Sequence, residues 1–201
     1  MALQKIMFSS FSQLYLWKIT ENLSDLLEMF NGNLPLGYLK YKHSMHQKQF
    51  LAKELLFDFL QIAGQVQYLP NGKPILNDGR YLSVSHTSDW VGVVLSNIPI
   101  GLDMELPHNK LLKVKSKFQH EKEWHVFDQP TVENCQYLWT AKESIYKLIG
   151  KKQLSFKEDI RLLEIDKVMS KGSALVQQKT NVLLYFNKTS SNVLISQAIY
   201  Q

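Results

Sequence analysis

An α+β fold built from two successive helix-then-strand blocks is what this sequence predicts. Strict apolar/polar alternation marks short strands near the N-terminus and again after Tyr81. Two longer stretches, about Met45 to Ile62 and Val132 to Ile149, instead carry the period of a helix. The order of helix and then strands occurs once in each half, and 201 residues are enough for one large core or two small ones.

The first strand is expected over Gln13 to Ile19, with Leu14, Leu16 and Lys18 on one side and Tyr15, Trp17 and Ile19 on the other. Leu23, Leu26, Leu27 and Phe30 then mark a short amphipathic helix that stops near Asn31-Gly32. The helix from about Met45 to Ile62 presents Leu51, Leu55, Phe59 and Ile62 as its apolar face. Runs from Val91 to Ser96 and from Ile100 to Glu105 read as strands, and Asn97-Ile98-Pro99 between them as a hairpin turn. Helical patterns follow at Leu111 to Phe118 and at Val132 to Ile149. Extended segments are expected at Asp159 to Ile165, Ala174 to Gln178, Val182 to Phe186 and Val193 to Tyr200, with a loop over Asn187 to Asn192. No low-complexity linker divides the chain, and a boundary near Leu106-Pro107 gives an N-terminal half 1–106 and a C-terminal half 107–201.

A hydrophobic content of 45% and a charged content of 20% are those of an ordinary soluble globular protein. The single cysteine, Cys135, rules out an internal disulfide and fits a reducing compartment, where it reads as a small packed side chain. No apolar run approaches the ~20 residues that span a bilayer, and Met1-Ala2-Leu3-Gln4-Lys5 has no secretory-signal pattern, so the cytoplasm is the expected location. A net charge of +5 favours anionic partners without choosing among them.

The chemistry concentrates in two stretches. Trp139, Glu143 and Lys147 recur at steps of four on one helix, and Lys142 adjoins Glu143. In Gly101-Leu102-Asp103-Met104-Glu105, alternation points both acids to one face of a strand. Three carboxylates on two rigid elements could hold one hard cation such as Mg²⁺. Asn71-Gly72-Lys73-Pro74 is a turn, and the wider glycine pattern of a P-loop is missing. Ser85-His86-Thr87 places a histidine directly after a serine, so neighbouring side chains face apart and no hydrolase triad is implied.

These four motifs, in this order over residues 71–147, resemble the 4′-phosphopantetheinyl transferase superfamily, in its larger, surfactin-synthetase-activating type with two similar halves in one chain. The resemblance implies two α/β halves related by a pseudo-two-fold axis, each a small antiparallel sheet with packed helices, and an active site at their interface. It implies transfer of the phosphopantetheine arm of coenzyme A to a serine hydroxyl of an apo acyl or peptidyl carrier protein, with release of adenosine 3′,5′-bisphosphate. Mg²⁺ is the implied metal, with Mn²⁺ as the alternative, and coenzyme A is the co-substrate. Residue by residue, Asp103, Glu105 and Glu143 match the metal positions. Lys142 and Lys147 match lysines expected on phosphate oxygens, with Lys147 nearer the chemistry. Trp139 positions the helix or fills the core. Ser85 and His86 match the segment that contacts the 3′-phosphate, with Thr87 in place of a serine, and Lys73 is expected on the cofactor. Lys40, Lys42 and Lys48 lie where relatives carry basic residues for the same phosphate. In Phe118-Gln119-His120-Glu121-Lys122-Glu123-Trp124, Glu123 aligns with a glutamate proposed as the proton acceptor, with Glu121 beside it and a metal-bound water as the other option.

Two rival classes were weighed. A nucleic-acid-binding protein fits the charge but not motifs with acids at their centre, which repel phosphate unless a cation intervenes. A catalytically silent member that only binds coenzyme A is the other alternative, and the intact acids and lysines argue against it. A monomer is expected, since duplicated halves supply internally the contact that a smaller relative obtains by oligomerising. Neither nucleic acid nor membrane is an expected partner.

Overall fold

The computed structural model describes residues 2–126 and 129–201 of the chain. Clustering of contacts divides the chain into two units: Met1–Leu69 with Pro74–Asn97, and Pro70–Lys73 with Ile98–Gln201. The division thus falls at Asn97/Ile98, upstream of the boundary expected at Leu106-Pro107. Both units are α+β with antiparallel sheets and packed helices, in line with the predicted class.

In the first unit, strands β1 (Ala2–Ser9) and β2 (Ser12–Lys18) form a hairpin. Helix α1 (Leu23–Glu28) follows, opened by a capping box in which the Asn22 side chain accepts from Asp25 N and Asp25 reaches back to the Asn22 backbone. Asn31 and Gly32 end it with positive φ values of 48° and 88°, as the sequence led us to expect. A 3-10 turn spans Leu36–Lys40, and helix α2 runs over Ser44–Phe59. Its buried face is Gln49, Leu51, Ala52, Leu56 and Phe57, whereas Phe59, expected inside, is 54% exposed. The buried stripe is thus rotated toward the Ala52–Leu56 row, which leaves Phe59 on the outer face. Strands β3 (Val66–Tyr68) and β4 (Pro74–Leu76) form a small ladder, and β5 (Tyr81–Thr87) and β6 (Trp90–Ser96) complete a sheet ordered β1-β2-β6-β5. Trp17, Leu26, Leu51, Leu56, Phe57 and Val93 fill the core beneath it.

Strand β7 (Ile100–Glu105) opens the larger part of the second unit. It does not pair with β6: the expected hairpin at Asn97-Ile98-Pro99 is instead a passage between sheets. Asn97 N donates to Phe11 O, while β7 pairs with the C-terminal strand β11 (Leu194–Tyr200), Asp103 opposite Ser196. Helix α3 (Lys110–Val114) and 3-10 turns at Lys115–Lys117 and Glu121–Val126 lead to helix α4 (Val132–Ile149). Thr131 caps the start of α4 by accepting from Asn134 N, and Gly150, at φ 69°, ends it. Cys135 is packed in this helix, and burial pushes its thiol pKa up, as befits an inert small side chain. Strands β8 (Ile160–Asp166), β9 (Lys171–Val176) and β10 (Thr180–Lys188) complete a meander ordered β7-β11-β10-β9-β8. Among the described residues no helix is long and apolar enough to cross a membrane.

Candidate active site

Helix α4 lies directly on β7, with no side chain between the two backbones at Gly101. A Cβ there would stand 2.5 Å from Leu148 N and 3.0 Å from Leu148 Cα, with Ser144 O closer still. Gly101, Asp103 and Glu105 share one face of β7 by alternation, so both acids point to the α4 side. Small partners permit the approach: Ser144 Oγ lies 2.9 Å from Ser196 Oγ, and Gln136 Nε2 donates to Glu105 O at 2.7 Å. Lys147, one turn beyond Glu143, donates from Nζ to Asp103 Oδ1 at 2.8 Å.

Glu143 belongs to the same charge cluster. Its carboxyl is raised to about 7, by burial first and then the charge of Asp103, against the opposing charge of Lys147 and with a smaller push from Glu105. Lys147 thus meets Asp103 directly, and the charges of Asp103, Glu105 and Lys147 all act on Glu143. Among the described residues no three acidic, histidine or cysteine side chains form a ready-made metal cage, and the cation against Asp103 is the Lys147 ammonium. The donor set is nonetheless all oxygen, and its mutual repulsion is what a hard divalent cation relieves.

Lys142 and Glu123 occupy a different place from the one expected. Both are fully buried. Lys142 Nζ donates to Glu123 Oε2 at 2.9 Å and to the carbonyls of Phe118 (2.7 Å), Phe156 (2.8 Å) and Ile160 (2.8 Å). Glu123 in turn accepts from His120 N at 2.6 Å and Leu162 N at 2.7 Å. Burial pulls the Lys142 ammonium down to about 8, with the Glu123 charge opposing it. As placed, the lysine reaches no phosphate and the glutamate no substrate hydroxyl, and neither carries a step below. Glu121 is exposed on the same 3-10 turn.

Trp139 packs as a core aromatic, its ring 5.2 Å from Phe118 and 5.5 Å from Phe156, and Tyr146 joins Phe156 at 5.5 Å. Lys73 is also corrected. Its Nζ donates to Leu148 O at 2.5 Å, Asn71 Nδ2 donates to Gly150 O, and burial pulls the lysine below its ordinary range. The turn thus closes the C-terminal end of α4, where a cation meets exposed carbonyls.

In the first unit, Ser85 is buried and His86 exposed, facing apart on β5. His86 opens onto a cavity of about 200 Å³ lined also by Tyr41, His46, Gln49, Phe50 and Lys53. Gln49 Nε2 donates to Ser88 O at 2.7 Å, which ties α2 to the β5–β6 turn. Lys53 lies 4.6 Å from the Phe50 ring centroid and donates to the Tyr68 hydroxyl at 3.0 Å. The expected lysines do not line this cavity: Lys40 and Lys42 are exposed, and Lys48 is half-buried on α2. Four of the lining residues, His46, Gln49, Phe50 and Lys53, recur at helical spacing on one face of α2.

The sequence profile of the 4′-phosphopantetheinyl transferase superfamily matches residues 99–192, the segment that holds all four members of the charge cluster. The chain is 32% identical over 111 residues to the 4′-phosphopantetheinyl transferase gsp of Aneurinibacillus migulanus, covering 51% of this chain and 46% of that protein. It is 29% identical over 123 residues to a putative 4′-phosphopantetheinyl transferase of Haemophilus influenzae, covering 52% of each. It is 29% identical over 122 residues to the 4′-phosphopantetheinyl transferase psf-1 of Bacillus pumilus, covering 58% of this chain and 49% of that one. The chain therefore spans about half the length of the curated relatives it matches.

Proposed function

We propose that this protein, whose residues 99–192 match the profile of the 4′-phosphopantetheinyl transferase superfamily, is a Mg²⁺-dependent transferase that moves the 4′-phosphopantetheine arm of coenzyme A onto a serine of an apo acyl or peptidyl carrier protein, releasing adenosine 3′,5′-bisphosphate. The observation that carries the reading is the contact of α4 with β7 at Gly101, which seats Lys147 on Asp103 and exposes Glu143 to the charges of Asp103 and Glu105. A surface ion pair has no reason to gather three carboxylates in a half-buried spot, where their repulsion is costly. A site for cation and pyrophosphate does.

In this proposal Asp103, Glu105 and Glu143 hold the divalent ion, which supplies neutralisation of the pyrophosphate oxygens. Lys147, already seated on Asp103, contributes a positive charge to the same oxygens as the bond to the leaving nucleotide breaks. The His86 cavity, with its aromatic rings and Lys53, suits the phosphorylated nucleotide end of coenzyme A. A basic chain and acidic carrier surfaces favour a charge-steered encounter in the cytoplasm, the chain acting as a monomer.

Transfer of a labelled pantetheine arm to apo acyl and peptidyl carriers tests the reading. Label is expected on the carrier only with divalent metal present, and at least 100-fold less with Asp103→Asn. A folded protein that labels neither carrier class refutes the transferase and leaves the silent binder. His86→Ala is expected to raise the KM for coenzyme A about tenfold, the loss of one charge-assisted phosphate contact, while leaving the KM for dephospho-coenzyme A unchanged. An equal change for both substrates removes His86 from the 3′-phosphate.

A further inference from the structure

The buried pair formed by Lys142 and Glu123 adjoins the candidate site without entering it. Lys142 precedes Glu143, and successive helical residues point about 100° apart, so one fixes the direction of the other. The ammonium gathers carbonyls from Phe118, Phe156 and Ile160, which lie just past the 3-10 turn at Lys115–Lys117, in a loop and on β8. Glu123 adds backbone bonds to His120 and to Leu162 on β8. α4, the 118–123 segment, the 156 loop and β8 are therefore tied at one point.

We infer that Lys142 and Glu123 are positioning residues: their ion pair sets the rotation of α4, and through it the aim of Glu143 and Lys147 at Asp103 and Glu105. The inference rests on the proposed transferase reading. An apolar side chain at position 142 fills space but removes the donors that face these carbonyls, and an apolar contact permits rotation that the three directed N–H donors of an ammonium do not. The face opposite the pin is set by backbone contact at Gly101, so the two restraints act on different sides of one helix.

The experiment uses Lys142→Met and Glu123→Asp, the second keeping the charge while shortening its reach. Mn²⁺ binding is measured by electron paramagnetic resonance without coenzyme A, alongside kcat and KM for transfer. Both variants are expected to bind Mn²⁺ at least tenfold more weakly and to lose at least tenfold in kcat, with the KM for coenzyme A within twofold. Should Lys142→Met fail to fold, Glu123→Asp carries the test alone. Unchanged Mn²⁺ affinity and kcat in a folded Glu123→Asp protein overturns the inference. A tenfold rise in KM for coenzyme A with unchanged Mn²⁺ affinity in Lys142→Met also overturns it, by making the lysine a phosphate contact. A wild-type chain that neither binds Mn²⁺ nor transfers refutes the functional reading itself, an outcome distinct from those.

Discussion

Gly101→Val is expected to prevent folding, and Gly101→Ala to lower the thermal midpoint by more than 10 °C. The reason is contact rather than backbone conformation. A methyl at this position meets the Leu148 amide at 2.5 Å and the Leu148 Cα at 3.0 Å, and helix backbone cannot step aside as a flexible side chain can. The helix must lift from the strand, opening a seam lined by Ala141, Ile145 and Leu148, all buried. Overpacking of this kind exceeds the usual 1–3 kcal/mol; at about 4 kcal/mol or more it consumes much of the ~5–15 kcal/mol that holds a domain folded. Circular dichroism melts measure it. A Gly101→Ala midpoint within 3 °C of wild type contradicts the close approach, and with it the packing that gathers the acids on β7 beneath Glu143 and Lys147.

Glu143→Gln is expected to make the metal-free protein more stable at pH 8 while abolishing function. The carboxyl sits at about 7 in the folded chain against an ordinary 4.5. Below about 4.5 it is protonated in folded and unfolded chains alike. Between the two values the folded chain keeps a proton that the unfolded chain has released, so stability falls as pH rises, and the loss is complete above 7. A shift of this size corresponds to roughly 3 kcal/mol, and glutamine, which mimics the protonated acid, avoids it. At about 2–4 °C per kcal/mol for a chain of this size, the variant is expected to melt several degrees above wild type at pH 8 and level with it at pH 4.5. Added Mg²⁺ is expected to raise the wild-type midpoint but not that of Glu143→Gln, and transfer is expected to drop at least 100-fold. Equal melting of the two proteins at pH 8 without metal removes the repulsive cluster from the account.

What was legible in the sequence was local. Helix α4 runs from Val132 to Ile149 as its periodicity indicated. Alternation found β2, β6, β7 and the C-terminal strands within a few residues. The period of two put Asp103 and Glu105 on one face, and the period of 3.6 put Glu143 and Lys147 one turn apart, so the cluster could be read before any coordinates. Strand β1 and the 3-10 turn at Glu121–Val126 went unread, because a strand that depends on its partner and a short turn carry little local pattern.

The rest was decided by partners distant in the chain. A turn signal at Asn97-Ile98-Pro99 reports that the chain bends, not which strand β7 will pair with, and β11 won that pairing from ninety residues away. A lysine beside a glutamate reads equally as a phosphate ligand or a core ion pair. Three carbonyls from Phe118, Phe156 and Ile160 decided it for Lys142, and no motif encodes where those carbonyls will point. Lys73 was settled likewise, by the end of a helix that starts nearly sixty residues later. By itself, then, the sequence determined which side chains share a face, because that follows from backbone period. Only the tertiary structure decided which of those faces meet, because that depends on desolvation and hydrogen bonding between segments the chain brings together only when folded.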